Sequence, residues 1–383
     1  MDKHPSTHPP LPPTSEDERL SWLRLLRSYR VGISTFYRLI HDHGSASAAL
    51  AALPDIAAKA GVSGYRICPE GVAVSERQAA SKAGARLIFI GTAEYPPLLL
   101  DLPDPPPMLW VIGQPDVLLR PMIGVVGARN ASSIGLRMAR KLTQDLADSG
   151  YLIVSGLARG IDAAAHQASL ISGTVAVMAG GADVIYPVEN AVLADDIIAN
   201  GARVSEMPIG LNPQARHFPR RNRIISGLAQ ALVVVEAAAK SGSLLTARAA
   251  LDQGREVLAV PGHPLDARAS GGNMLIRDGA VLVRSAADII EALPKPPAAQ
   301  GELDLSDLPK QPRQISPPAD RRSFSETRAL HSEILARLGA APMAEDQLIR
   351  DLSGGPNLVA PALTRLEMEG RIRRQAGGLL ALC

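Results

Sequence analysis

The chain has 383 residues, of which 46% are hydrophobic and 20% are charged, with a formal net charge of +2. That length allows two or three domains with sizeable cores, and so mild a charge means that any nucleic-acid surface must come from local clusters of cations. The two cysteines, Cys68 and Cys383, exclude a disulfide framework and an all-cysteine zinc site. They fit a reducing compartment, and we expect a cytoplasmic protein.

The start of the chain predicts a tail followed by a helical module. Residues 1–15 are rich in proline, histidine and serine and lack the apolar run of a signal peptide, so we expect a disordered tail. We find no apolar segment of membrane-spanning length and expect no membrane association. From 16 to 83, apolar residues at helical spacing with glycine interruptions predict a small helical domain. Its glycine turns can present amides to phosphates, or can serve helix packing alone.

The middle of the chain, 84–293, predicts a Rossmann-like α/β domain. Arg86–Ile90 is typical of a strand, and the proline-rich run Tyr95–Met108 of an extended connector. Met122–Gly127 has the continuous apolar character of a strand buried on both faces, and a helical pattern follows it. Further strands are expected at Tyr151–Val154, Thr174–Met178, Arg203–Ser205, Leu232–Val235, Val257–Val260 and Val281–Val283. Strands alternating with helices predict a doubly wound, mostly parallel sheet.

The last part of the chain predicts a linker and a third domain. Residues 294–324 are crowded with proline and lack apolar periodicity, which indicates a disordered linker. Residues 325–383 read as three helices closed by a hairpin around Gly377-Gly378, which predicts a winged helix. Such domains bind duplex DNA or dock proteins, and both interpretations stay open here.

Three motifs fall where strands of the predicted sheet end. They are Gly127-Ala128-Arg129, the turn Ser155–Asp162, and the arginine-rich stretch His217–Gly227. Glycine turns and helix N-termini at that edge expose amides to anions, so we expect a phosphate site. No acidic residue lies between Glu206 and Glu236, which predicts that these arginines lack local carboxylate partners. The alternatives are ordinary tight turns and a solvated charge run.

We expect different side chains of these motifs to have different roles. We expect Arg129 to contact phosphate first, then Arg221 and Arg220, with Arg223 as a structural brace. Asp162 suits a helix cap or an acceptor for an arginine. Phe218 is one of few aromatic residues in the chain and suits base stacking beside the arginines. It can equally be a core plug beneath the loop.

The motifs expected of enzymes are absent. The chain has neither Gly-x-Gly-x-x-Gly nor a P-loop, and Ser155 lacks the nucleophile elbow, so we expect no cofactor and no catalytic residue. His166, His217 and His263 lack metal-ligand spacing and are interpreted as structural or surface residues, and we expect no metal. A phosphate-contacting surface without chemistry indicates binding rather than turnover.

A series of motifs across residues 122–290 resembles the DNA-processing protein A (DprA/Smf) family. In order they are Ser155–Asp162, Gly173–Val177, Asp183–Pro187 with Asn190, Ser205–Pro208, Phe218–Gly227, Val234–Ala237 with Ser241–Ala247, and Val260–Gly262 with Asn273. One departure is Ile134, where the family usually has tyrosine after its Gly-x-Arg turn. The flanking domains fit family variants with a helical (SAM or helix-hairpin-helix-like) N-terminal domain and a C-terminal winged helix.

The resemblance implies a non-enzymatic homodimer, paired through its Rossmann-like core, that binds single-stranded DNA without sequence preference. It also implies that the protein protects incoming DNA and loads the RecA recombinase in natural transformation. The residues expected to form the DNA site are Gly127, Arg129, Ser155, Gly156, Gly160, Asp162, Phe218, Arg220, Arg221, Asn222 and Arg223.

An alternative function is enzymatic. Related Rossmann-like proteins of the lysine-decarboxylase-like group are phosphoribohydrolases that act on nucleoside monophosphates. Their Pro-Gly-Gly-x-Gly-Thr signature is absent, and Ser241-Gly242-Ser243 stands in roughly its place. We therefore expect binding of single-stranded DNA rather than this hydrolysis.

Overall fold

The computed structural model describes residues 11–293, 324–339, 342–352, 356–375 and 379–382. The chain divides into two compact units, Met1–Ala298 and Ala299–Cys383. Residues 1–10 of the expected tail and nearly all of the expected linker lie outside the described residues. In the described part of the chain, no helix is long and apolar enough to cross a membrane.

The first unit begins with four helices, as the apolar spacing of 16–83 predicts. They are α1 (Glu16–Arg27), α2 (Ile33–His43), α3 (Ala46–Lys59) and α4 (Glu70–Lys82). A capping box starts α1, because Ser15 Oγ accepts the Glu18 amide while the Glu18 carboxylate accepts the Ser15 amide, each at 3.2 Å. Trp22 packs edge-to-face on Phe36 and Phe89, with ring centroids 5.1 and 5.9 Å away, so the helices share a core with the adjoining sheet.

A nine-stranded sheet with helices between its strands forms the rest of this unit. The strands are β1 (Ala85–Phe89), β2 (Met108–Gly113), β3 (Met122–Val126), β4 (Leu152–Ser155), β5 (Thr174–Val177), β6 (Ala202–Ser205), β7 (Ala231–Val234), β8 (Glu256–Ala259) and β9 (Val281–Leu282). The helices are α5 (Ser133–Asp148), α6 (Ile161–Ala168), α7 (Ala191–Asn200), α8 (His217–Leu228), α9 (Gly242–Asp252), α10 (Ser270–Arg277) and α11 (Ala286–Ala292). Every residue of β3, β4, β5, β6 and β7 is buried, as strands covered on both faces require.

The strand order places a binding crevice at one position. The order is β1-β2-β6-β5-β4-β3-β7-β8-β9. Along the sheet, every strand from β6 across to β9 runs parallel to its neighbours in that set. The chain moves outward from β3 to β6 and then returns to β7 on the other side of β3. The connections after β3 and β7 therefore diverge, which opens a crevice at their carboxyl ends. The Rossmann-like, mostly parallel fold expected from the sequence is confirmed.

Strand β2 was not expected from the sequence. The connector predicted over Tyr95–Met108 contains a 3-10 helix at Pro97–Asp101, and β2 starts at its end, Met108. This strand pairs antiparallel with both β1 and β6. Its residues form an uninterrupted apolar run directly after three prolines, so neither alternation nor a preceding turn signal separated it from the connector.

The second unit has the winged-helix fold that the sequence predicts. Its elements are α12 (Phe324–Arg337), β10 (Met343–Ala344), α13 (Glu345–Asp351), α14 (Pro356–Met368), β11 (Ile372–Gln375) and β12 (Leu379–Leu382). The sheet order is β10-β12-β11, and Ile372 pairs with Leu382 in the expected antiparallel hairpin. The predicted turn at Gly377-Gly378 lies outside the described residues. Buried apolar residues from all three helices and from β11 and β12 form its core.

Candidate nucleic-acid interface

A cavity of about 750 Å³ opens at the carboxyl ends of β3 and β7, at the position that the strand order dictates. The loops after β3 and β4 and the first turns of α8 and α9 line it. Of the residues expected from the sequence, the cavity brings together Gly127, Arg129, Asp162, Phe218, Arg221 and Asn222.

Two glycines allow the loops after β3 and β4 to touch. A Cβ atom on Gly127 would lie 2.6 Å from Ile161 Cγ1, at the start of α6. Gly160 has a φ of +77°, and a Cβ there would overlap the carbonyl oxygen of Ala128. Larger residues at either position would separate the loops. This close approach places Arg129 beside the turn Ser155–Asp162.

Ser155 and Asp162 hold the site together from below. Ser155 is fully buried at the end of β4, and its hydroxyl donates to the Val125 carbonyl at 2.6 Å, so it locks two strands. Asp162 Oδ2 accepts the amides of Gly156 and Ala158 at 3.1 and 3.4 Å. Burial raises the pKa of Asp162, while the Arg221 charge and these amides act in the opposite direction.

Arg221 is a fixed cation at the floor of the cavity. Its side chain is buried, and Nη1 donates to the carbonyls of Gly156 and Val177 at 2.7 and 2.5 Å. A Cβ on Gly156 would lie 2.6 Å from this guanidinium, so only glycine leaves it room. Burial lowers the pKa of Arg221 to about 10, which still leaves it charged at neutral pH. Arg221 therefore supplies positive potential from a fixed position beneath the opening.

Arg129 and Phe218 form the accessible part of the site. Arg129 is exposed, and its Cζ lies 5.6 Å from the centroid of the Phe218 ring. The Arg221 Cζ lies 5.8 Å from the same centroid. The Phe218 ring is half-buried and lines the cavity, so it combines packing with an exposed surface. A base and its phosphate can reach this ring and Arg129 together.

Arg220 and Arg223 face a carboxylate rather than the cavity. Arg223 Nη2 pairs with Glu206 Oε2 at 2.5 Å, and Arg223 Nε lies 3.4 Å from Asp104 Oδ2. Arg220 Nε lies 3.7 Å from Glu206 Oε1. Among the described residues, neither arginine lines the cavity. The expectation that this stretch lacks local carboxylate partners is wrong, because Glu206 follows β6 directly and the fold returns α8 to it. Arg223 braces α8, and Arg220, expected to contact phosphate, is partly engaged by Glu206.

One wall of the cavity was not included among the expected site residues. It is formed by Lys240, Ser241, Ser243 and Thr246 at the start of α9, with Arg268 following β8. Ser241 caps α9 by accepting the Ser243 amide at 3.3 Å. Lys240 is exposed and, within the described ranges, has no carboxylate within 4.0 Å. The Ser241-Gly242-Ser243 sequence could have indicated the start of a helix. It could not have placed that helix at the cavity, because the placement depends on β7 lying beside β3.

The histidines have structural contacts. His166 is fully buried, and its Nδ1 lies 2.8 Å from Thr174 Oγ1. Thr174 Oγ1 donates to the Ile153 carbonyl, so it accepts from His166 Nδ1. Burial lowers the pKa of His166 and so keeps the imidazole neutral. His217 Nδ1 accepts the Gln214 amide, and His263 Nδ1 accepts the Leu265 amide. No metal-binding group of three or more histidine, cysteine, aspartate or glutamate side chains occurs among the described residues.

Comparison with known families identifies all three domains. Residues 86–294 match the family model described as DNA recombination-mediator protein A. Residues 16–79 match a DprA-like N-terminal HHH domain, and residues 317–378 match a DprA winged helix domain. The chain therefore belongs to the DprA/Smf family of DNA recombination-mediator proteins.

Individual relatives agree with this assignment. The chain is 45% identical over 215 residues to the DNA processing protein DprA of Bacillus subtilis, covering 55% of this chain and 72% of that protein. It is 40% identical over 292 residues to the protein Smf of Escherichia coli, covering 75% of each chain.

Two solved structures share the architecture. The X-ray structure of DprA from Streptococcus pneumoniae matches with 34% identity and a TM-score of 0.57, covering 70% of this chain and 100% of that one. DprA from Helicobacter pylori, whose single-stranded DNA binding mode was studied, matches with 26% identity and a TM-score of 0.50, covering 55% of this chain and 96% of that one.

The brace between α8 and β6 gives a stability prediction. Arg223→Met leaves the buried Glu206 carboxylate with only the more exposed Arg220, 3.7 Å away, and we expect a loss of about 3 kcal/mol in unfolding free energy. Urea unfolding followed by tryptophan fluorescence measures this, because both tryptophans, Trp22 and Trp110, belong to the first unit. The matched variant Arg220→Met removes a 54% exposed side chain and should cost less than about 1 kcal/mol. Equal losses for the two variants would contradict the brace.

The buried imidazole gives a pH prediction. Burial, with a smaller contribution from Arg221, lowers the pKa of His166 to about 3. The unfolded chain takes up this proton near its ordinary pKa of 6.5 and the folded chain does not, so stability falls as pH drops below about 6.5. Relative to His166→Gln, the wild type should lose about 2 kcal/mol of unfolding free energy between pH 7.5 and 5.0. Parallel pH profiles for the two proteins, followed by tryptophan fluorescence, would show that His166 is not held neutral.

Proposed function

We propose that this protein binds single-stranded DNA without sequence preference through the cavity at the carboxyl ends of β3 and β7. The observation that carries the proposal is the position of two exposed cations, Arg129 and Lys240, on the same cavity as the half-buried Phe218 ring. Phosphate contacts are independent of sequence, and an aromatic face accepts any base. The DNA-processing names of its relatives and the single-stranded DNA binding mode of the Helicobacter pylori protein support the same function.

The charges around the cavity suit a flexible polyanion. Arg221 keeps a fixed positive charge at the floor, and the Asp162 carboxylate that acts on it also accepts two backbone amides. The α9 N-terminus contributes a further partial positive charge beside Lys240. A single strand can place its phosphates on the exposed Arg129 and Lys240 while a base contacts Phe218.

Fluorescence anisotropy with labelled oligo-dT tests the proposal. We expect wild-type affinity to fall steeply with salt, because bound phosphates release counterions. Arg129→Ala should weaken binding about tenfold and lower the slope of log affinity against log salt by about 0.7, the value for one single-strand phosphate contact.

Arg120→Ala is the matched control. Arg120 is an exposed arginine just before β3, so it lies at the opposite edge of the sheet from Arg129, which follows the same strand. Its removal should leave affinity and slope unchanged. Equal effects of the two variants, or no binding by the wild type at low salt, would contradict the proposal. Release of free base from a nucleoside monophosphate would instead favour the phosphoribohydrolase.

We extend the proposal to protection of incoming DNA and loading of RecA in natural transformation, by a homodimer formed through the Rossmann-like core. Family membership supports this extension. ATP hydrolysis by RecA on DNA coated with a single-strand-binding protein should increase when the wild type is added and stay low with Arg129→Ala. Equal stimulation by both proteins would show that RecA loading does not require Arg129 in the cavity.

A further inference from the structure

A narrow notch of about 20 Å³ adjoins the large cavity. It shares Ala158, Arg129, Phe218 and Arg221 with that cavity. It adds Gly156 and Arg159 from the turn after β4, and Tyr186 and Pro187 from the loop before α7. The added side chains that bear on a ligand are Arg159 and Tyr186. The DNA function proposed above requires neither of them.

Tyr186 presents an unusual surface for an aromatic residue of this chain. The residue is 48% exposed, whereas most of the described aromatic residues of this chain are buried or half-buried. The ring lies edge-to-face against Phe218, with centroids 5.8 Å apart and planes inclined by 61°. Phe218 supports one edge of Tyr186 and leaves much of its surface accessible to a flat ligand.

The loop that carries Tyr186 is fastened to the floor of the site. Asn190 Nδ2 donates to the Leu157 carbonyl at 2.9 Å, which ties this loop to the turn after β4. Leu157 has a φ of +56° and is fully buried in an apolar cluster, so packing holds the turn in a conformation that leucine rarely adopts. The loop that carries the Tyr186 ring is therefore held in place beside the cavity.

Arg159 supplies a cation that a phosphate can capture. Its Nη1 lies 3.6 Å from Glu189 Oε1, and the two side chains are 63% and 62% exposed. An exposed ion pair of this kind contributes little free energy, so Arg159 can exchange Glu189 for a phosphate at small cost. A ring and an exchangeable cation thus lie together at the edge of the DNA site.

We propose that Tyr186 and Arg159 form a second nucleotide subsite, which stacks the base and binds the phosphate of the nucleotide next to the one at Phe218. This proposal rests on the proposed function. Bases that lie flat on rings inclined by 61° cannot stack on each other. The strand therefore bends between the two subsites, and the two neighbouring bases separate on binding.

Two measurements on the full chain test the subsite. In anisotropy with oligo-dT, Tyr186→Ala should weaken binding about tenfold without changing the salt slope, because stacking releases no counterions. Tyr186→Phe should bind like the wild type, since it keeps the ring. In an oligo-dT containing two adjacent 2-aminopurines, fluorescence should increase when the wild type binds and increase less with Tyr186→Ala.

Arg159→Ala separates the phosphate contact from the stacking contact. It should lower the salt slope by about 0.7, as the loss of one phosphate contact requires. Tyr29→Ala is the matched control, since Tyr29 is 64% exposed and also neighbours an arginine, with Arg30 Cζ 5.2 Å from its ring centroid. This variant should bind like the wild type.

The outcomes distinguish the subsite from the function it depends on. A wild type that fails to bind oligo-dT overturns both. Wild-type binding weakened by Arg129→Ala but not by Tyr186→Ala overturns the subsite alone. Equal losses in Tyr186→Ala and Tyr186→Phe, or a comparable loss in Tyr29→Ala, also overturn it, because the effect would not come from ring stacking at this position.

Discussion

The architecture of the site depends on one buried cation, the Arg221 guanidinium. It reaches from α8 across the glycine at 156 to the carbonyls of Gly156 and Val177, and so joins a helix to the ends of β4 and β5. The nearby Asp162 carboxylate offsets part of its charge and closes the turn after β4 by accepting the Gly156 amide. Removing either group would leave the other buried charge less compensated, which is costly in a protein interior. The floor of the cavity is consequently held by hydrogen bonds that join helix and sheet.

A hydrogen-bonded floor and an exposed rim suit a ligand that varies along its length. The charge of Arg221 is fixed, whereas Arg129 and Lys240 are exposed and can follow a phosphate chain. The arginines of α8 have different contacts because successive helical residues point in different directions. Arg221 turns into the floor, while Arg223 turns toward Glu206 and holds the helix that carries Phe218. Positive potential, aromatic surface and helix position are thus linked through α8.

Sequence patterns predicted the fold well where burial is complete. The continuous apolar run Met122–Gly127 marked β3, and the alternation of strands with helices marked the parallel sheet. Strand β2 was missed because its apolar run follows prolines without a turn signal. The positions of the site motifs at strand ends were also predictable. The partner of Arg223 was not, since Glu206 reaches it only through the folding of β6 and α8, and the Lys240 wall depends on the neighbour relation of β3 and β7.

A crystal structure of the full chain with a short oligo-dT would show directly whether the strand occupies the cavity. We expect a phosphate within about 4 Å of the Arg129 guanidinium, the usual range for a charged contact. We also expect a base in contact with the Phe218 ring, with Arg221 unmoved on the Gly156 and Val177 carbonyls. DNA seated only on the N-terminal helices or on the winged helix, with an empty cavity at β3 and β7, would contradict it.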